Sequence, residues 1–344
     1  MSATATQPHA GHGHGHGHGG AMPPPQPSGV PTRAVLFEAA GTLGSREVSL
    51  RIAGDDEAVI DTAYSSISSG TERLLFSGKL PGFPQLRFPL VPGYEAVGIV
   101  AETGSAVEGI KAGDAVFVGG SMCYTDVAAA FGGQAGRLIK KAAQLVPLHG
   151  IPLAHGPLLA LAATSLHGVV RLGDVRGKTV VVLGMGAIGQ FASRFLVARG
   201  ARVIAADVRA ERLAAAGNVE TIDLTGTTLD ALVHDADAIV EATGIPEQIA
   251  TCARALRPGG AIVLLSYYDE LRTPYVDLFV KEVDLLVARE WSHPDLLAAR
   301  DALASGEIDV GPLAGHVVPI NSYEAAYRTA FDDPSVLKVI LKWA

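Results

Sequence analysis

Six consecutive residues, Gly184-Met185-Gly186-Ala187-Ile188-Gly189, carry the spacing G-x-G-x-x-G directly after the apolar run Thr179–Leu183 and ahead of a helical pattern over residues 190–199. The first glycine suits a tight turn, the second lets a pyrophosphate approach the backbone, and the third lets the helix pack on the strand. The chemistry this implies is dinucleotide binding, with the anion on the amides that open the helix. Asp207 closes the next apolar run, eighteen residues after Gly189, where a carboxylate accepts from both ribose hydroxyls and repels a 2′-phosphate. That acid favours NAD over NADP. Arg209 is the competing neighbour, either pairing with a 2′-phosphate or lying solvated over the adenine. The glycines also admit a plainer reading, as a tight turn in a domain without cofactor. Cys123 and Cys252 are the only thiols and share no Cys-x-x-Cys spacing, so neither a disulfide framework nor a four-thiolate zinc lobe can be built.

Positioning such a turn takes a large fold, and 344 residues suffice for about two domains. With 48% hydrophobic and 18% charged residues, all but the opening stretch is too apolar to stay disordered. Residues 1–32 hold His12, His14, His16 and His18 alternating with glycine, then Pro23, Pro24, Pro25 and Pro27, and read as an unfolded tail. Metal chelation by those imidazoles competes with a tag or an inert extension. Beyond the tail, short runs such as Ala34-Val35-Leu36-Phe37 and Ala96-Val97-Gly98-Ile99-Val100, separated by Gly and Pro, predict a compact all-β unit, a barrel. After a buried helix opening at Pro157, apolar strands at 179–183, 202–206, 238–241, 261–265 and 284–288 alternate with helices and predict a doubly wound parallel sheet. The end of the chain reads as strand, helix (322–331) and strand (337–343), returning to the first unit. A formal charge of −8 with no basic run excludes nucleic acid as a partner. No run of about 18 apolar residues and no basic-then-apolar opening is present, so a cytoplasmic protein without a transmembrane segment is expected.

Several further stretches complete this pattern: Pro92-Gly93-Tyr94-Glu95-Ala96-Val97-Gly98, Gly109-Ile110-Lys111-Ala112-Gly113-Asp114-Ala115-Val116, Glu241-Ala242-Thr243-Gly244 and Leu256-Arg257-Pro258-Gly259-Gly260. Together they resemble the medium-chain dehydrogenase/reductase superfamily over everything after the tail. The resemblance implies an α/β protein with a GroES-like β-barrel catalytic domain over 33–153, a Rossmann NAD-binding domain over 154–311, and a segment 312–344 returning to the catalytic domain. It also implies that Thr164 approaches the nicotinamide and that Thr243 and Gly244 line the cofactor's reactive end. Zinc members of the superfamily use a Cys, a His before Glu, and a later Cys or acid. Here Ser68 or Ser69, Tyr94, and Ala160 or its neighbours stand at those places, so no metal is expected.

Among zinc-free members, the run from Ser66-Ile67-Ser68-Ser69-Gly70-Thr71-Glu72-Arg73 to Gly78 and the run Phe88-Pro89-Leu90-Val91-Pro92-Gly93-Tyr94-Glu95 are similar to the bacteriochlorophyllide a dehydrogenase family. Phe131-Gly132-Gly133-Gln134-Ala135 and Ala288-Arg289-Glu290-Trp291 add to the match. This resemblance implies NAD-dependent oxidation of the 3-(1-hydroxyethyl) group of a chlorophyllide or bacteriochlorophyllide to 3-acetyl, with a tetrapyrrole as partner. A homodimer and loose association with a photosynthetic membrane are compatible with it. The candidate proton-handling residues are Tyr94 and Glu95, then Ser69, Thr71 and His167. Each has a structural alternative: Tyr94 fills the space of a metal, Glu95 pairs with an arginine such as Arg73, the hydroxyls serve their own turn, and His167 belongs to the core. Phe83, Phe88, Phe131, Tyr267, Tyr268 and Trp291 are candidate walls of a flat pocket. Two rival functions remain, a zinc-free quinone or enoyl reductase and a nucleotide-binding protein without catalysis.

Overall fold

The computed structural model describes residues 28–80, 86–268 and 270–344. Thr179–Leu183 is apolar and β-branched on both faces, which suits a strand covered by helices on both sides. Val180 and Val182 pack with Phe191, Leu196 and Val169, whereas Val181 and Leu183 pack with Ile249 and Cys252 on the opposite face. It lies inside a six-stranded parallel sheet in the order Glu220–Asp223, Arg202–Asp207, Thr179–Leu183, Ala236–Glu241, Leu256–Leu264, Asp284–Val287. Because Thr179–Leu183 has Arg202–Asp207 on one side and Ala236–Glu241 on the other, the winding reverses there. A crevice therefore opens at the carboxyl ends of these strands, beside Gly184. Glu220–Asp223 escapes sequence reading because it is a mostly exposed edge strand with no apolar run.

The second unit combines a four-stranded and a seven-stranded sheet. Ser28–Ala39 alternates between two cores. Ala34 and Leu36 face Ile60, Val100 and Val116, while Val35 and Phe37 face Leu75, Tyr327 and Leu341. The C-terminal segment supplies that second cover. Val339–Lys342 pairs antiparallel with Glu57–Ile67, with Val339 opposite Ile67, and the helix Tyr323–Asp332 packs beside it. The first strand begins at Ser28, with Pro31 opposite Ser49 and Thr32 opposite Val48, so pairing starts inside the stretch expected to be tail. The rest of that tail reading, and Phe83, lie outside the described residues.

The helix Leu159–Arg171 joins the units. Its residues Leu159 to Ala163 share one core with Val97 and Phe117 of the barrel and with Val180 and Val182 of the parallel sheet. Among the described residues, no helix is long and apolar enough to cross a membrane.

Candidate active site

The three glycines of the turn do three different things. Gly184 has φ +94°, and a Cβ there would lie 2.9 Å from Thr243 N, so the turn abuts the exit of the neighbouring strand. A Cβ on Gly189 would lie 1.9 Å from the Gly184 carbonyl oxygen. A Cβ on Gly186 would meet nothing within 4 Å. That open side adjoins the start of the helix Ala187–Ala198, whose first amides have no side-chain cap. Gly189→Ala is therefore expected to unfold the turn, lowering the melting temperature by several degrees or more. Gly186→Ala should melt as the wild type does while binding NADH at least about tenfold more weakly. Thermal melts and fluorescence titration check both, and equal NADH affinity in Gly186→Ala would remove the pyrophosphate from this turn.

Asp207 ends its strand and is buried. Its Oδ2 accepts from Met185 N at 2.7 Å and its Oδ1 from Arg209 N at 3.0 Å. Ala187 and Ile188 lie at the helix start, half-buried, and the Arg209 side chain is exposed. On the other side of the crevice, buried Glu241 accepts from Thr243 N at 3.0 Å, from the Thr243 hydroxyl, and from the Tyr268 hydroxyl. Gly244 N is 3.4 Å from the same carboxylate, and Gly244 takes φ +73°. Burial pushes the Glu241 carboxyl up, against the hydrogen bonds of Thr243 and Gly244. Thr164 Oγ1 donates to Ala160 O within its own helix, and Ser165 Oγ donates to Ile188 O, tying that helix to the glycine turn.

The barrel carries a cluster of hydroxyls. Tyr94 OH lies 2.7 Å from Ser68 Oγ and 3.4 Å from Thr71 Oγ1. The serine in contact is Ser68, the N-cap of the helix Ser69–Phe76, whereas Ser69 is exposed in the first turn. Tyr94 follows Gly93 at φ +93°, and its ring meets Phe131 edge-on at 5.1 Å and Trp291 at 6.1 Å. Trp291 comes from the parallel-sheet unit, so the aromatic wall spans both units. Burial, with the negative charge of Glu95, raises the Tyr94 phenol against the hydrogen bonds of Ser68 and Thr71. It stays a protonated donor at neutral pH.

The remaining candidates are separated from that cluster. Glu95 is paired with Lys338 at 2.5 Å, both side chains nearly inaccessible, and also accepts from Ser66 Oγ. Its Oε1 is buried without a hydrogen-bond partner among the described residues. The arginine expected as its partner, Arg73, instead lies over the Phe331 ring. His167 Nδ1 lies 2.8 Å from Asp295 Oδ2, and that carboxylate caps Ser292 at the start of the helix His293–Ala304. His167 thus anchors the segment carrying Trp291 and makes no hydrogen bond to the Tyr94 cluster. Phe88 packs beneath the C-terminal helix, and Tyr267 is exposed.

Residues 54–150 match the family described as "Alcohol dehydrogenase GroES-like domain", and residues 187–304 the one described as "Zinc-binding dehydrogenase". The chain is 35% identical over 319 residues to the 2-desacetyl-2-hydroxyethyl bacteriochlorophyllide A dehydrogenase of Cereibacter sphaeroides, covering 91% of this chain and 98% of the relative. The chain belongs to that bacteriochlorophyllide dehydrogenase family. Its fold is shared with a putative zinc-binding dehydrogenase of Sinorhizobium meliloti 1021 bound to NADP (TM-score 0.79, 22% identity, 92% of this chain and 100% of that one). It is shared equally with a protein of E. coli CFT073 described as a short chain alcohol dehydrogenase complexed with NADH (TM-score 0.79, 19% identity, the same coverage).

In this member of the bacteriochlorophyllide dehydrogenase family, the donors at the zinc positions do not suit the metal. Ser68, Ser69 and Tyr94 offer neutral hydroxyls and Ala160 offers nothing, and among the described residues no group of three His, Cys, Asp or Glu side chains can hold a metal. A nicotinamide cofactor does fit the open face at Gly186. Sequence reasoning missed Lys338, Tyr327 and Glu72 as partners, and Arg212, whose Nη1 lies 3.7 Å from Asp207 Oδ2. For Lys338 the signal is a lone lysine inside the apolar run Val336-Leu337-Lys338-Val339-Ile340, since such residues are rarely buried without a partner, whereas Glu72 in the polar run Ser69-Gly70-Thr71-Glu72-Arg73 carries none.

Proposed function

We propose that the chain oxidises the 3-(1-hydroxyethyl) group of a chlorophyllide or bacteriochlorophyllide to 3-acetyl, using NAD and no zinc, in the cleft between the two units. The observation carrying this reading is the Tyr94–Ser68–Thr71 hydroxyl cluster set against the Phe131 and Trp291 rings, in a chain similar over 91% of its length to the Cereibacter sphaeroides enzyme. A flat macrocycle suits aromatic walls, and its alcohol oxygen suits the hydroxyl end.

When bound, the nicotinamide supplies a two-electron acceptor for the hydride of the alcohol carbon. Gly186 and the helix amides hold its pyrophosphate, and Asp207 its ribose. Tyr94 accepts a hydrogen bond from the substrate hydroxyl while donating to Ser68. As the carbonyl forms, the alcohol proton passes to the Tyr94 oxygen and the phenolic proton to Ser68, whose own proton leaves to solvent, while half-buried Thr71 is a second, longer outlet from Tyr94. The phenol is a relay that ends each turnover protonated. A carbon attached to a conjugated ring spreads the positive charge that develops as hydride leaves. Each tenfold gain in rate corresponds to about 1.4 kcal/mol, so this spreading offsets part of what a Lewis acid supplies to an unconjugated alcohol.

The test is incubation with NAD and the 3-hydroxyethyl pigment, following the absorption shift and identifying the acetyl product. A small aliphatic secondary alcohol should be a far poorer substrate, and comparable efficiency on it would sink the electronic argument. NADH should bind at least about tenfold more tightly than NADPH, because Asp207 meets the added phosphate with like charge. Asp207→Ala should narrow that gap. Equal affinities in the wild type would show that Arg209 and Arg212 outweigh the acid.

A further inference from the structure

Behind the hydroxyl cluster lies a second polar group for which the catalytic reading has no use. Glu72 is fully buried in the helix Ser69–Phe76, yet its carboxylate turns back to the residue that starts the helix. Oε1 accepts from Ser68 N at 3.0 Å, and Oε2 accepts from the hydroxyl of Tyr327 at 2.6 Å, 255 residues along the chain. Tyr327 is itself held edge-on against Phe37 and Phe331, on the C-terminal helix. Ser68 is thus gripped from both sides, its amide by Glu72 and its hydroxyl by Tyr94.

We propose that Glu72 and Tyr327 are positioning residues for alcohol oxidation: Glu72, braced by Tyr327, fixes the Ser68 amide and so aims the Ser68 hydroxyl at Tyr94. This rests on the proposed role of Tyr94. Both contacts need an acceptor, so they favour the carboxylate form. A proton on either oxygen would turn one acceptor into a donor facing Ser68 N–H or the Tyr327 hydroxyl. The groups facing Glu72 are Tyr327 from the C-terminal helix, Glu95 ahead of the strand Ala96–Thr103, Lys338 ahead of Val339–Lys342, and Tyr94. Burial dominates and pushes the Glu72 carboxyl up to about 7, with Glu95 adding to the rise and the Tyr327 hydroxyl, the Ser68 amide and Lys338 opposing it. The grip on Ser68 is therefore strongest above neutral pH and weakens below it.

The test joins turnover to a measurement that needs no substrate. In the full-length protein with carboxyl-labelled glutamate, one NMR signal should titrate near neutral pH and vanish in Glu72→Gln. Tyr94 ring signals, assigned with Tyr94→Phe, should follow that titration in the wild type and stay flat in Glu72→Gln. In turnover, wild-type kcat should fall as pH drops below neutral. Glu72→Gln should lose that limb and run about tenfold slower at pH 8, with NADH affinity unchanged within about twofold. Tyr327→Phe, lacking a donor that favours the carboxylate, should move the limb to higher pH. Tyr94 signals that ignore Glu72, or an acid limb that survives Glu72→Gln, would overturn the proposal. Tyr94 signals that follow Glu72 in a protein that does not oxidise the pigment would support the positioning and discard the substrate.

Discussion

Replacing Tyr94 by Phe is expected to lower kcat on the pigment alcohol by about a hundredfold while leaving NADH affinity within about twofold, the range for losing a positioned proton-transfer group. The phenol ring packs between Phe131 and Trp291, and Phe preserves that packing, so the loss isolates the hydroxyl. Ser68→Ala should reproduce most of the loss, because the Tyr94 proton then has only the longer 3.4 Å contact to Thr71. Since Tyr94 is held in its protonated form, its own ionisation should add no alkaline limb to the pH profile below about 10. Stopped-flow turnover with fluorescence titration of NADH separates the two effects. Full activity in both variants would send the proton directly to solvent, and a parallel loss of NADH binding would make Tyr94 a structural residue.

The second large effect concerns stability. Lys338→Met is expected to destabilise the fold by about 3–5 kcal/mol, because it leaves the Glu95 carboxylate buried without its countercharge. That is a large share of the roughly 5–15 kcal/mol that a domain has in total. Glu95→Gln leaves the ammonium stranded in the same way and should cost a similar amount. The double variant should lose much less than the sum of the two single losses, since neither charge then remains inside. Urea unfolding of the four proteins checks this. A single variant within about 1 kcal/mol of the wild type would mean that water reaches the pair.

Much of this site is written in local sequence. Gly184, Gly186 and Gly189 are legible because each meets a backbone demand set by its immediate neighbours: a left-handed turn, an open approach and a helix packed on a strand. Tyr94 stands out as a departure from a motif, and the apolar runs at 179–183 and 202–206 announce a sheet covered on both faces. Neighbouring positions are harder. Ser68 and Ser69 have the same side chain, and only the helix start, with Ser68 extended as N-cap and Ser69 in the first turn, decides which hydroxyl reaches Tyr94. Spacing puts His167 one turn from Thr164, but packing of Leu159–Arg171 against His293–Ala304 gives it to Asp295.

What sequence alone determined, then, is the backbone chemistry of the cofactor turn and the class of fold around it, because both depend on residues a few positions apart. The partners of the buried polar groups were decided by tertiary structure. Val339 opposite Ile67 brings Lys338 to Glu95, and the C-terminal helix brings Tyr327 to Glu72. A buried carboxylate must find a donor or countercharge, but which one it finds depends on strand register and helix packing across the whole chain.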